Sequence, residues 1–179
     1  MYYEKLISDP EFKARDRGAL CEKLFGDQLT REYAHRGYTI VSNLTYFNPR
    51  HPVFIGEIDF VLIDSRNEIV AVFEVKCSVH EQRSRKHAEV QLQRFKNYLF
   101  WLEWSAPRLH TPCVLSAFVS GEPRNFACSA FRYADYVYVH PRSRLHRYGP
   151  ELIDLTLREI NQLFVQLEQA WGKRRNLAL

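Results

Sequence analysis

Gly56-Glu57-Ile58-Asp59-Phe60-Val61-Leu62-Ile63-Asp64, followed by Val72-Phe73-Glu74-Val75-Lys76, is a pair of apolar runs that carry acids where a core strand should carry none. β-Branched and aromatic residues dominate both runs, which is the composition of strands on a buried or half-buried pleated surface. Withdrawing a carboxylate from water costs on the order of several kcal/mol unless a cation or a partner offsets it. The stretch is therefore either a structural ion-pair cluster or a metal site. Val53 to Asp64 and Ile69 to Cys77 read as strands, and Ser65-Arg66-Asn67 as a hairpin-like connection between antiparallel neighbours. Alternation puts Glu57 and Asp59 on one face of the first strand, and Val72, Glu74 and Lys76 on one face of the second. Phe73, Val75 and Cys77 face the other way, into the core, as do Ile58, Phe60 and Leu62. Val61 and Ile63 are apolar too, so both faces are covered and the acidic cluster is partly shielded.

Outward from the hairpin, the chain alternates helical and strand patterns. Asp9-Pro10 reads as a helix start, with Asp9 as N-cap and proline in the first turn. Leu20, Leu24, Phe25, Leu29 and Tyr33 follow at helical spacing, and Gly37 is the expected stop. Gly18 lies inside this pattern and marks a break or a close approach; Glu22 lies on the same helix, next to Lys23. Tyr38 to Tyr46 reads as a strand and Asn48 to Pro52 as a loop. After a polar stretch, Ala88 to Trp104 reads as a helix with Ala88, Leu92, Phe95, Leu99 and Leu102 on its core stripe. At about 100° per residue, Gln91 falls near the edge of that stripe and Gln93 nearly opposite it. Pro107 to Pro112 is a loop, Val114 to Val119 a strand, Gly121-Glu-Pro a turn, and Tyr136 to Val139 a short strand. Gly149-Pro150 opens a final amphipathic helix that ends at Gly172, with a basic tail beyond.

The expected architecture is α/β, a central mixed β-sheet flanked by helices. It forms one domain over residues 1–179, with a core of about 15–140 and a C-terminal helix and basic tail of about 150–179. Hydrophobic residues at 46% and aromatics at 14% exclude a disordered chain. No apolar run approaches the roughly 20 residues of a membrane-spanning helix, and Met1-Tyr-Tyr-Glu-Lys lacks the order of a signal peptide. Cys21, Cys77, Cys113 and Cys128 form no C-x-x-C pair. They read as reduced, mostly buried thiols of a cytoplasmic or nuclear protein that is not secreted. The net charge is +4, and its basic residues cluster. Arg83, Arg85, Lys86, Arg94 and Lys96 follow the hairpin; Arg142, Arg144 and Arg147 form a second group, and Lys173-Arg174-Arg175 a third. Such clusters are either solvated surface or a phosphate-backbone footprint beside an acidic site.

Hard cations such as Mg²⁺ and Mn²⁺ prefer oxygen ligands. Asp59 and Glu74 on neighbouring strands supply two carboxylates, and the carbonyl of Val75 a further ligand. Lys76 beside them suits water activation or charge stabilisation at a phosphate. Asp59, then Glu74-Val75-Lys76 after fourteen residues, resembles the D…(D/E)-x-K signature of the PD-(D/E)xK nuclease superfamily. Arg17-Gly18-Ala19-Leu20-Cys21-Glu22 and Arg36-Gly37-Tyr38-Thr39-Ile40 resemble the first helix and first strand of archaeal-type Holliday junction resolvases and their bacterial relatives. Gly56-Glu57-Ile58-Asp59-Phe60 is similar to the G-E-I-D-(L/F) run of a small bacterial endonuclease family, and Gln91-Leu-Gln-Arg-Phe95 to the Q-x-x-x-(Y/F) helix motif of the RecB-like branch. The position before Asp59 is Ile58 rather than proline. The resemblance covers residues of about 15–100.

That resemblance implies a restriction-endonuclease-like core and a Mg²⁺- or Mn²⁺-dependent endonuclease acting on DNA, including branched DNA. Asp59 and Glu74 would hold the metal, with Glu22 and Val75 completing its shell. Lys76 would assist the attacking water, and Gln91 would orient the site or contact phosphate. Arg83, Arg85, Lys86, Arg94 and Lys96 would track the nucleic acid. Junction resolvases of the superfamily act as dimers, so a homodimer is implied, through the surface around Trp101 to Trp104 or the last helix. Two alternatives stand beside this reading: an RNA endonuclease of the viral-polymerase type on the same fold, and a non-catalytic nucleic-acid-binding module.

Overall fold

A computed structural model describes residues 14–48, 53–76 and 81–140. The expected helix start at Asp9-Pro10, Cys77, His80, the final helix and the basic tail lie outside the described residues. The elements in chain order are α1 (Ala14–Tyr33), β1 (Thr39–Phe47), β2 (Phe54–Ile63), β3 (Ile69–Val75), α2 (Glu81–Ser105), β4 (Val114–Val119), β5 (Glu122–Ala127) and β6 (Asp135–Val139). The six strands form one mixed sheet in the order β5-β4-β1-β2-β3-β6. β3 and β6 are parallel, and every other neighbouring pair is antiparallel. The two helices cover opposite faces. α1 packs Cys21, Phe25 and Leu29 against Phe60, Leu62, Phe73 and Val75. α2 packs Leu92, Phe95 and Leu99 against Val61, Ile63, Val72 and Leu44. The chain is thus α/β, a mixed sheet flanked by helices. Among the described residues no helix is long and apolar enough to cross a membrane.

Local chemistry explains the element ends. α1 runs into one turn of 3₁₀ helix (Ala34–Arg36) and stops at Gly37, whose φ of 83° is the left-handed conformation glycine adopts without a Cβ penalty. The β2–β3 connection is held by Asp64, whose carboxylate accepts the N–H groups of Arg66 (2.8 Å) and Glu68 (2.9 Å). The Glu68 N–H, then the Arg66 guanidinium and N–H, hold this carboxyl below the usual carboxylate range. Gly18 is neither a break nor a close approach: α1 runs through it, and a Cβ there would meet nothing within 4 Å. The close approach is at Gly26, where a Cβ would lie 2.5 Å from Phe60 Cε1. Glycine lets α1 settle onto the ring of Phe60, which also meets Phe25 edge-on at 5.7 Å.

Beyond Gly18, the structure departs from the sequence expectations at four places. α2 begins at Glu81, two turns before the expected Ala88. Its first turns are polar because their inward position is Ser84, a small buried residue in phase with Ala88 and Leu92. Glu122-Pro123 is not a turn but the start of β5. The turn is Ser120-Gly121, both at positive φ (53° and 82°), a two-residue hairpin that sets Val119 opposite Glu122. Proline is tolerated there because β5 is an outer strand. Cys113 and Cys128 are not reduced thiols but a disulfide with Cα atoms 5.5 Å apart, and Cys21 is disulfide-bonded as well. The β4–β5 register pairs Val114 with Ala127, which brings the flanking cysteines together.

The fourth departure is at Ile58, which does not share a core with Phe60 and Leu62. It packs with Val61 on the α2 face, so alternation slips between them, at Asp59. On β1, Val41 and Leu44 likewise enter one cluster, and Asn43 between them has φ of 52°. The β1–β2 register runs from Ser42–Phe60 to Leu44–Ile58, so Asn43 falls opposite Asp59. Both strands therefore break their alternation at the same rung.

Candidate active site

β2 and β3 bring the hairpin acids together. The ladder from Leu62–Ala71 through Phe60–Phe73 leads to Asp59 and Glu74 as the next rung. Asp59 is 7% exposed and Glu74 0%. One oxygen of Asp59 accepts the N–H of Val75 at 2.6 Å. Lys76 donates a short hydrogen bond to Glu74 Oε1, and its Nζ lies 4.0 Å from Asp59 Oδ2. The lysine backbone is fixed as well, its N–H donating to the carbonyl of Val139 on β6 at 2.9 Å. The second oxygen of Glu74, Oε2, is buried and has no hydrogen-bond partner among the described residues. A buried carboxylate oxygen without a donor is costly, and costly exceptions of this kind gather at functional sites.

Electrostatics tie α1 to the hairpin. Burial, then the charges of Asp59 and Glu57, push the Glu22 carboxyl up to about 7 against the opposing pull of Lys76. Burial and then Asp59 push Glu74 up to about 7, and Glu22 adds to this, while the hydrogen bond and charge of Lys76 work the other way. Asp59 is raised chiefly by burial, with Lys76 and the Val75 N–H opposing. Burial alone would depress Lys76, but Asp59 and Glu74 outweigh it and its ammonium is held above the ordinary lysine value. One cation thus serves three half-buried or buried carboxylates, and each acid makes its neighbours harder to ionise.

The expected residues fall into three groups. Glu22, Asp59, Glu74 and Lys76 converge, with Glu57 exposed at the margin and close enough for its charge to reach Glu22 and Asp59. Val75 joins through its N–H. Gln91 is half-buried on α2 and hydrogen-bonds to none of them. Arg83, Arg85, Lys86, Arg94 and Lys96 lie exposed along α2. Arg85 pairs with Glu89 at 3.4 Å, and Lys96 sits 4.3 Å from the centre of the Tyr136 ring. Lys86 and Lys96 line a groove of about 500 Å³ with Tyr136. Arg94 reaches inward electrostatically: Tyr46, pushed up to about 12 by burial, feels Arg94 on one side and Glu74 on the other.

β6 adds two neighbours that the sequence reading left out. The parallel register sets Tyr138 beside Glu74, and His140, fully buried, continues the strand next to Lys76. Their rings lie 6.0 Å apart. The alternation of Tyr136, Tyr138 and His140 with Val137 and Val139 was the available signal, but nothing in the sequence paired this strand with β3.

Among the described residues no three His, Cys, Asp or Glu side chains are grouped closely enough to hold a metal ion as they stand. The acids close on Lys76 instead. The fit to a hard cation lies in the donor set: three carboxylates that raise one another's proton affinity, and the unpartnered Glu74 Oε2. No family model, no curated protein and no solved structure matches the chain.

Proposed function

We propose that the protein is a divalent-cation-dependent phosphodiesterase that cuts nucleic acid, DNA in the first instance, at the Glu22–Asp59–Glu74–Lys76 cluster. The observation that carries this reading is Glu74, fully buried, with one oxygen on Lys76 and the other without a partner among the described residues. A merely structural ion pair would satisfy both oxygens or replace the acid, since a buried pair is a poor source of stability. Asp59 and Glu74, with Glu22, are the residues that would hold Mg²⁺ or Mn²⁺. The bound cation would supply charge neutralisation at the phosphate and a more acidic water.

The chain's own groups have separate tasks. The Val75 N–H orients the Asp59 carboxylate. Lys76, held by Glu74 and by the Val139 carbonyl, keeps a proton at Nζ that can be presented to a phosphate oxygen. Glu22, with its carboxyl at about 7, can give or take a proton near neutral pH. The exposed basic residues of α2 offer phosphate contacts alongside.

The test is one panel of duplex, nicked, flapped and four-way DNA and single-stranded RNA, each with Mg²⁺, Mn²⁺ or EDTA. Wild type should cut at least one form only with a cation. Asp59→Ala and Lys76→Ala should lose cutting while keeping the wild-type circular dichroism spectrum. Undiminished cutting by either variant would sink the assignment. Manganese-dependent cutting of RNA alone would move the activity to the RNA-endonuclease class, and binding without any cutting would leave a binding module.

A further inference from the structure

Between α1 and the β1–β2 ladder lies a cleft of about 420 Å³ that shares Glu22 with the acidic cluster. Its apolar lining comes from Ile40 and the edge of the buried Phe60, and its polar lining from Ser42, Asn43 and Thr30 together with the charged Lys23 and Asp27. Thr30 spends its hydroxyl on the carbonyl of Gly26. Among the described residues neither the half-buried Ser42 nor the exposed Asn43 uses its side chain in a hydrogen bond. Asn43 is also the residue whose left-handed backbone interrupts β1 opposite Asp59. A left-handed non-glycine residue inside a strand is strained, and such strain collects at ligand and catalytic sites. Lys23, also in the lining, is tied down among the described residues by an exposed pair with Asp27 at 3.4 Å, a contact too weak to prevent the ammonium from meeting a phosphate.

An apolar floor with an unspent amide and hydroxyl beside it suits a flat heteroaromatic ring that carries donors and acceptors on its edge. The geometry points to a nucleobase: we infer that the cleft receives the base of an unpaired nucleotide next to the phosphate held at the acidic cluster, with Asn43 and Ser42 meeting its edge. This rests on the nuclease reading and narrows its substrate to strands that are single-stranded or splayed at the cut. A base stacked in continuous duplex cannot enter the cleft without first being extruded, which costs about a few kcal/mol.

The experiment separates base recognition from cutting. Fluorescence anisotropy in EDTA measures binding of a labelled single-stranded oligonucleotide and of its fully abasic counterpart, equal in length and charge. The proteins are wild type, Asn43→Gly and Ser42→Ala. Asn43→Gly keeps the left-handed backbone and removes the carboxamide side chain. Wild type should prefer the oligonucleotide with bases by about tenfold or more, in line with single-base contacts elsewhere. Asn43→Gly should lose most of that preference while binding the abasic strand as wild type does, and Ser42→Ala should lose part of it. Equal binding of the two strands by wild type, or a preference unchanged in Asn43→Gly, overturns the inference. Base-dependent binding with no cutting under any cation would leave the cleft assigned and sink the nuclease reading alone.

Discussion

Replacing Glu74 by glutamine should stabilise the protein at alkaline pH and do little at acid pH. In the folded protein the Glu74 carboxyl is raised from its ordinary value of 4.5 to about 7, first by burial and then by Asp59. The folded state therefore binds this proton more tightly than the unfolded chain does. The stability this contributes is fully present below pH 4.5 and is lost as pH rises through about 7. Across the whole window the loss is at most about 3 kcal/mol, at roughly 1.4 kcal/mol per pH unit. Roughly 2 kcal/mol of it falls between pH 5 and pH 8. Glutamine has the shape of the acid and no charge to desolvate, so Glu74→Gln escapes the loss. Urea denaturation of both proteins at pH 5, 6, 7 and 8 reads the difference directly. The bond to Lys76 strengthens as Glu74 ionises, but that gain is already contained in the net value of about 7, and the glutamine–lysine bond of the variant does not change with pH. The stability difference should grow in favour of the variant by roughly 2 kcal/mol from pH 5 to pH 8. A difference that is flat with pH refutes the view that Glu74 is a strained buried acid.

Four further outcomes follow from the same geometry. At pH 8, Mg²⁺ or Mn²⁺ should raise the wild-type Tm and flatten its decline with pH, because a cation replaces the missing protons; Asp59→Asn should not respond, and an unresponsive wild type would count against a cation site. Gly18→Ala should stabilise by up to about 1 kcal/mol, whereas Gly26→Ala should destabilise, because its Cβ would meet the Phe60 ring at 2.5 and 2.8 Å and overpacking costs about 1–3 kcal/mol; thermal melts of the pair decide it. Gln28 is buried with neither amide atom hydrogen-bonded among the described residues, so Gln28→Met should raise stability by about 1–3 kcal/mol in urea, and a loss would mean that the amide has a partner. Replacing both Cys113 and Cys128 by serine should cost about 3 kcal/mol, the loop-closure value for a separation of 15 residues, and reduction of the wild type should lower Tm by more than that replacement does, because it also opens the disulfide of Cys21; urea and thermal melts decide it.

The acids of the hairpin were legible because carboxylates inside β-branched runs contradict their setting, and because two-residue alternation fixes which of them meet. Glu22 was legible only through the order of the elements around it. Ile58 was misassigned because alternation holds only while the strand is regular, and the slip at Asp59 and Asn43 is a property of two chains together. β5 was invisible because an outer strand has no buried face to impose a pattern; Glu122 to Asn125 are all exposed. The Cys113–Cys128 pairing depends on that same strand. The polar first turns of α2 were missed because a helix that buries Ser84 shows no apolar period there. Tyr138 and His140 reach the site through a parallel pairing between strands far apart in the chain, which local pattern cannot supply.

The outer strand β5 also bears on how this protein can assemble. It is charged at both Glu122 and Arg124, and Pro123 between them offers no N–H. A strand from another molecule would find a broken ladder there, and such edges resist sheet extension. The disulfide at the foot of the same hairpin keeps β5 from peeling away and exposing β4. Among the described strands the sheet is thus closed to growth on the side of β4 and β5.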